Sequence, residues 1–162
     1  MLIFVEGRDG SGKTTLCDTL YKRGFNTIRV ARGLNKSFCE LAELNGTYIC
    51  DRSFITELVY RILDGKKCDM SLETMVNLLH KGKVKIIYCY TQDDFKNSMQ
   101  RGEDNITSEE VSNRLALIYN HILASLVRTE NIKIFEYDWH KDEINKVIQF
   151  INNCQEVQNG VW

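Results

Sequence analysis

The sequence predicts an α/β fold, a mostly parallel sheet covered by helices on both faces, and three observations carry that expectation. Short apolar runs rich in strand formers alternate with segments of helical periodicity along the 162 residues. No succession of hairpin turn signals joins one apolar run to the next, so the strands need crossover connections. The first apolar run passes directly into a glycine-rich loop with a helical pattern behind it.

Taken in order, "MLIFVE" is a buried first strand, and "KTTLCDTLYKRG" supplies the helix after the glycine loop, with Leu16 and Leu20 four apart and Gly24 as its stop. "FNTIRVA" is a second strand. "NKSFCELAEL" reads as a short helix with Phe38, Leu41 and Leu44 inward, and "NGTYIC" turns into a third strand that ends at "DRS". Helical periodicity returns from Ser53 to about Leu63 and again over "SLETMVNLLHKG", where Ser71 and Thr74 flank the start and Gly82 marks the end. "VKIIYCY" is the clearest buried strand. A polar stretch containing "QRGEDNITSEE" precedes a long helix from Glu109 to about Arg128, whose Leu115, Ile118, Ile122 and Leu126 share a face. "IKIFEYD" and "DEINKVIQFINN" close the chain as a strand and a helix.

The length fits one domain, 1–162, with no linker or internal repeat. A net charge of -1 provides no field for a nucleic-acid polymer or an anionic membrane, so neither is an expected partner. The six cysteines form no C-x-x-C pair and stand at no zinc spacing, which reads as reduced thiols and a cytoplasmic location. No apolar run spans a bilayer, and "LIFV" looks structural rather than like a cleavable leader.

Chemistry concentrates at "EGRDGSGKTTL". Gly7, Gly12, Lys13 and Thr14 match G-x-x-x-x-G-K-[ST], a loop whose backbone N–H groups and helix terminus cradle phosphates. The expected fold is therefore the three-layer P-loop NTPase fold. ATP and Mg2+ are the expected ligands, with Gly7, Asp9, Gly10, Ser11, Gly12, Lys13, Thr14 and Thr15 around the triphosphate. Lys13 reaches the β and γ phosphates, and Thr14 offers its hydroxyl to the metal. The chain has no N-K-x-D to read guanine, and it is short for a motor, so a small-molecule kinase is the economical class. Glu6 either holds a metal-bound water or orients the acceptor, or else bonds locally to the backbone or Arg52.

With the blocks "FVEGRDGSGKTTL", "GTYICDRSFITELVYR" and "KIIYCYTQDDFKNSMQRGEDNI" in view, the sequence resembles the thymidylate kinases and, more broadly, the nucleoside monophosphate and deoxynucleoside kinases. The resemblance implies phosphorylation of a deoxynucleoside monophosphate, dTMP first, by ATP. Asp9 leans toward that nucleotide acceptor. A deoxynucleoside kinase acting on a 5'-hydroxyl, and a non-catalytic nucleotide-binding protein, are the alternatives. By motif position Asp51 and Arg52 lie beside the acceptor phosphate and the metal, and Ser53, Tyr60 and Arg61 line the acceptor pocket. A short helix leads to a mobile lid over approximately 92–108, where Arg101 covers the transferred group, with Arg114 beyond the lid as a secondary candidate. Lys13, Arg52, Arg101 and Glu6 are thus the expected catalytic residues, Arg32 or Arg29 adds a phosphate contact, and a homodimer is implied. The family's Arg-Glu-Pro segment is absent here, replaced by "RVARGLN", and the chain is shorter than is usual for thymidylate kinases.

Overall fold

The computed structural model describes residues 1–29, 40–43, 45–100 and 108–153. Among them five strands form one sheet: β1 (Leu2–Glu6), β2 (Asn26–Arg29), β3 (Tyr48–Asp51), β4 (Lys85–Cys89) and β5 (Lys133–Tyr137). The order is β2-β3-β1-β4-β5 and every pairing is parallel. Six helices are described in full: α1 (Lys13–Lys22), α2 (Phe54–Leu63), α3 (Leu72–Lys81), α4 (Asp94–Gln100), α5 (Glu109–Glu130) and α6 (Ile144–Asn152). Of the helix expected at "NKSFCELAEL", residues 40–43 are described, with Glu40, Leu41 and Ala42 helical and Glu43 in a turn; Phe38 and Leu44 lie outside the described residues.

The central strands read as continuous apolar runs because both sheet faces are covered. Leu2, Phe4, Cys50, Ile86 and Tyr88 face α2, α3 and α5, where Ile55, Val59, Leu79, Leu115 and Tyr119 complete one core. Their neighbours Ile3, Val5, Ile49, Ile87 and Cys89 face the other way, against Leu16, Cys17 and Leu20 of α1 and Val147 and Ile151 of α6. Alternation along each strand thus builds two cores from one sheet and gives the three layers.

Side-chain caps start several helices where the sequence places a hydroxyl. Ser53, Ser71 and Ser108 accept from the backbone N–H of Ile55, Thr74 and Val111, respectively. The buried seam of α5 is displaced from the expected one: it runs through Ser112, Leu115, Tyr119 and Leu123, with Ile118, Ile122 and Leu126 only half-buried beside it. Ser112 and Tyr119 face inward because each has a polar partner across the fold, described below. That is information an apolar periodicity does not carry.

Lys85 is a charged residue inside β4. Its Nζ donates to the carbonyls of Phe150 (2.8 Å), Ile151 (3.1 Å) and Asn153 (2.8 Å), neutralising the negative end of α6. Replacing it with Met leaves those carbonyls without their buried donor. Lys85→Met is therefore expected to cost roughly 2 kcal/mol or more in urea unfolding, with faster amide exchange in α6; a loss below about 0.5 kcal/mol would contradict this role.

Candidate active site

The carboxyl ends of β1, β3 and β4 converge, since Val5 pairs with Asp51 and Glu6 with Tyr88. From β1 the chain winds toward β2 and β3, then returns to the other side as β4. In open parallel sheets that reversal creates a crevice beyond the strand ends, where ligands bind. The glycine loop occupies it. Gly7 has φ 141°, and a Cβ there would sit 2.1 Å from the Cys89 carbonyl oxygen. Gly10 has φ 83°, and its Cβ would meet the Asp94 carbonyl oxygen at 2.2 Å. Both positions therefore require glycine.

Two acidic residues near the loop have distinct roles. Asp9 accepts from Arg52 Nη2 at 2.5 Å and from the Tyr60 hydroxyl at 2.7 Å. Burial would raise its carboxyl, but the Arg52 and Lys13 charges outweigh that and hold it below the usual carboxylate range. Glu6 is fully buried. The Ser53 hydroxyl donates to its Oε1, while Thr56 Oγ1 (2.6 Å) and the Tyr119 hydroxyl (3.4 Å) donate to Oε2. Burial raises the Glu6 carboxyl, opposed by the Ser53 and Thr56 hydrogen bonds and by the charges of Lys13 and Arg52. The local bond to Arg52 anticipated for Glu6 is thus made by Asp9 instead.

Asp51 and Arg52 are adjacent in sequence but look to different partners. Asp51 Oδ2 accepts from Thr14 Oγ1 at 3.2 Å and lies 3.6 Å from Arg29 Nε, while its Oδ1 is buried with no hydrogen-bond partner among the described residues. Arg52 adopts φ 76°, a left-handed backbone that costs a non-glycine residue about 1–3 kcal/mol. Its N–H donates to the Val5 carbonyl at 3.1 Å, and its Nη1 is buried with no partner among the described residues. Burial tends to lower the Arg52 pKa, but the Asp9 charge and hydrogen bond raise it further, keeping the guanidinium charged.

Lys13 is buried, with its Nζ donating to the Arg8 carbonyl and, at 3.5 Å, to Ser11 Oγ. Burial and then the Arg52 charge lower its pKa. An anionic phosphate would relieve both effects. The indole of Trp139, from the turn after β5, lies against the Gly12 backbone and stacks on His140, forming a wall beside the loop.

The residues fit Mg2+. Asp51, whose Oδ2 accepts from the Thr14 hydroxyl and whose Oδ1 has no partner among the described residues, forms with Thr14 a hard oxygen donor set of the small kind that this ion combines with substrate phosphates and water. Among the described residues no cluster of three or more His, Cys, Asp or Glu side chains could hold a metal.

Arg61 bonds Glu57, Asp69 and the Lys67 carbonyl, none of them part of this cluster, because the i,i+4 partner on its own helix competes for it. Ser53 meets Glu6 while capping α2. Thr15 is exposed on α1. Arg32 and Arg101 lie outside the described residues; of the lid region 92–108, residues 94–100 form α4 and 101–107 are likewise outside. No helix among the described residues is long and apolar enough to cross a membrane.

Sequence reasoning missed Arg8, Asp94, Ser112, Thr56 and Tyr119. The Arg8 guanidinium reaches Asp94 Oδ2 through Nε (3.0 Å) and Nη2 (2.8 Å), and Ser112 through Nη1, to the hydroxyl at 3.0 Å and the carbonyl at 3.3 Å. Arg8 occupies an unrestricted position of the motif. Its charge inside a glycine loop was the available signal.

No family profile matches the chain. A protein of Sulfurisphaera tokodaii, provisionally assigned as an adenylate kinase, is 34% identical over 92 residues; the match covers 54% of this chain, which spans about half, 48%, of that relative. Among solved structures, the YorR protein of Bacillus subtilis, in complex with phosphorylated GDP, has a TM-score of 0.71 at 20% identity, covering 93% of both chains. Deoxyadenosine kinase from M. mycoides with bound dCTP scores 0.63 at 16% identity over 94% of this chain and 99% of its own. Thymidylate kinase from Candida albicans scores 0.56 at 13% identity, covering 92% and 88%. Fold and glycine loop together define the α/β P-loop NTPase class. Within it the structural neighbours include both nucleoside and nucleotide kinases, and the thymidylate kinases are not singled out.

Two outcomes follow from this geometry. Gly10→Ala forces the loop off Asp94 and is expected to abolish measurable Mg-ATP binding in calorimetry; binding within threefold of wild type would contradict the packing. Burial pushes the Asp94 carboxyl up to about 6, because Arg8, aided by the Thr91 backbone N–H and the Lys13 charge, offsets it only in part and Oδ1 has no partner. The folded form thus holds the proton more tightly than the unfolded chain, so this contribution is fully present below about pH 4 and is lost as pH rises through about 6. Relative to Asp94→Asn, the wild type should lose about 3 kcal/mol of stability across that window; parallel pH–stability curves would overturn this.

Proposed function

We propose that this protein transfers the γ-phosphoryl group of ATP to the phosphate of a deoxynucleoside monophosphate, with dTMP the first acceptor to assay. The observation that carries the reading is the buried, unpartnered Nη1 of Arg52, a fixed cationic donor at the carboxyl edge of the sheet. Its chemistry suits an anionic oxygen, and the guanidinium that presents it is held by Asp9, which in turn accepts from the Tyr60 hydroxyl.

In this reading the glycine-loop amides bind the β and γ phosphates, and Lys13 exchanges the Arg8 carbonyl for them. Arg52 orients the acceptor phosphate for in-line attack. A bond forms between an acceptor phosphate oxygen and Pγ, the bond from Pγ to the β,γ-bridging oxygen breaks, and ADP leaves. Thr14 and Asp51 would hold Mg2+, which when bound would neutralise charge on the phosphate oxygens. The acceptor is already anionic near neutral pH and needs no general base. That agrees with Glu6, whose two oxygens are engaged by hydroxyls and whose carboxyl is raised by burial.

The same Glu6 favours a second reading for one reason: it lies at the end of β1 beside Arg52, where a nucleoside hydroxyl acceptor would need a carboxylate. ADP production from Mg-ATP against matched deoxynucleoside monophosphates and deoxynucleosides separates the two, with Lys13→Ala as the control. The proposal expects turnover with monophosphates only, a fall of about 10- to 100-fold in kcat/KM for the acceptor in Arg52→Met, and less than tenfold loss in Glu6→Gln. Turnover confined to nucleosides, with a loss above about a hundredfold in Glu6→Gln, would establish the hydroxyl acceptor instead. ATP binding without turnover of any acceptor would overturn both.

A further inference from the structure

We propose that Arg8 is a positioning residue that clamps the phosphate loop onto the starts of α4 and α5 and so holds the loop in its triphosphate-binding shape. This rests on the reading of the loop as an ATP site, but not on which acceptor is used. One guanidinium joins three parts of the chain: the loop itself, Asp94 at the first position of α4, and Ser112 in the first turn of α5. All three are withdrawn from water, with the Asp94 and Ser112 residues fully buried and the Arg8 side chain only 14% exposed.

The loop has a second attachment to α4. Asn97 Nδ2 donates to the Gly10 carbonyl at 3.4 Å, and Gly10 lies so close to the Asp94 carbonyl and the Ser98 amide that no Cβ fits between them. α4 thus forms a floor beneath residues 8–10, and the Arg8 guanidinium is its charged fastening. The Arg8 carbonyl meanwhile accepts from Lys13 Nζ. When Lys13 moves to a phosphate, that backbone bond is lost, and the side-chain clamp is what remains to keep residue 8 in place. Loop amides displaced by even an ångström would lose alignment with phosphate oxygens.

The experiment is a double-mutant cycle on Mg-ATP affinity, measured by calorimetry well below each variant's unfolding temperature, with Arg8→Ala, Asp94→Ala, the double variant, and the milder Arg8→Lys and Asp94→Asn. The clamp predicts that either alanine weakens Mg-ATP by about tenfold, and that the double variant is no worse than the worse single. Arg8→Lys, which can still reach Asp94, recovers at least half of the loss on a logarithmic scale. If either alanine variant fails to fold, the Arg8→Lys and Asp94→Asn pair carries the same cycle. Wild-type affinity in the variants, or losses that multiply in the double variant, would overturn the proposal. Failure of the wild type to bind Mg-ATP at all would instead overturn the ATP-site reading, and with it this inference, whereas wild-type binding without turnover leaves the cycle fully interpretable.

Discussion

The ion pair between Asp9 and Arg52 is the contact on which the site's geometry depends. It joins the phosphate loop after β1 to the carboxyl end of β3, across 43 positions of sequence. Arg52 must turn into a left-handed backbone to make it, and the cost of that conformation is offset by the Val5 hydrogen bond and the buried charge pairing. Breaking one side would leave an uncompensated charge in the crevice, a far larger penalty than an exposed pair would exact. The pair therefore fixes how far the loop stands from the strand ends, and with it the spacing between Lys13, Asp51 and the Arg52 donor.

The rest of the crevice is arranged around charges that the polypeptide alone leaves only partly balanced. Lys13 is depressed by burial and by Arg52, Glu6 is raised by burial, and among the described residues three buried polar atoms, Asp51 Oδ1, Arg52 Nη1 and Asp94 Oδ1, have no hydrogen-bond partner. Orphaned polar atoms are uncommon in folded proteins and carry a desolvation cost. In the proposed reading a phosphate and its cation would satisfy two of the three, and the folded chain would then have met part of the cost of assembling a polyanion site in advance. The third, on Asp94, belongs to the fastening beneath the loop rather than to the crevice.

Much of this architecture is legible in the sequence because it rests on local rules. The glycine spacing, the lysine and threonine after it, the strand runs and the helix start at Ser71 each depend on neighbours a few residues away, and the strands, α1 and that helix start appear where expected, whereas the caps at Ser53 and Ser108 were not anticipated. Asp51 and Arg52 were also readable as a charged pair at a strand end, though not their separate partners. What the sequence hides is pairing over long separations: Arg8 to Asp94, Glu6 to Thr56 and Tyr119, and Lys85 to the end of α6. Those partners are chosen by topology, which brings the first turns of α4 and α5 under the loop, and no periodicity announces it. The displaced seam of α5 has the same origin, since Ser112 and Tyr119 are inward for polar reasons in a helix read by its apolar residues. Arg61 shows the converse error, a motif position whose side chain is captured by Glu57 on its own helix.

The most direct test of the account is a crystal structure of the protein with Mg2+ and a bisubstrate analogue in which adenosine and deoxythymidine are joined through five phosphates. The account predicts that an oxygen of the phosphate nearest deoxythymidine lies about 3 Å from Arg52 Nη1, with Asp9 still bonded to the same guanidinium and Lys13 transferred from the Arg8 carbonyl to the phosphate chain. A complex in which Arg52 Nη1 keeps no phosphate partner, or in which the deoxythymidine end lies away from the carboxyl edge of β3, would contradict it.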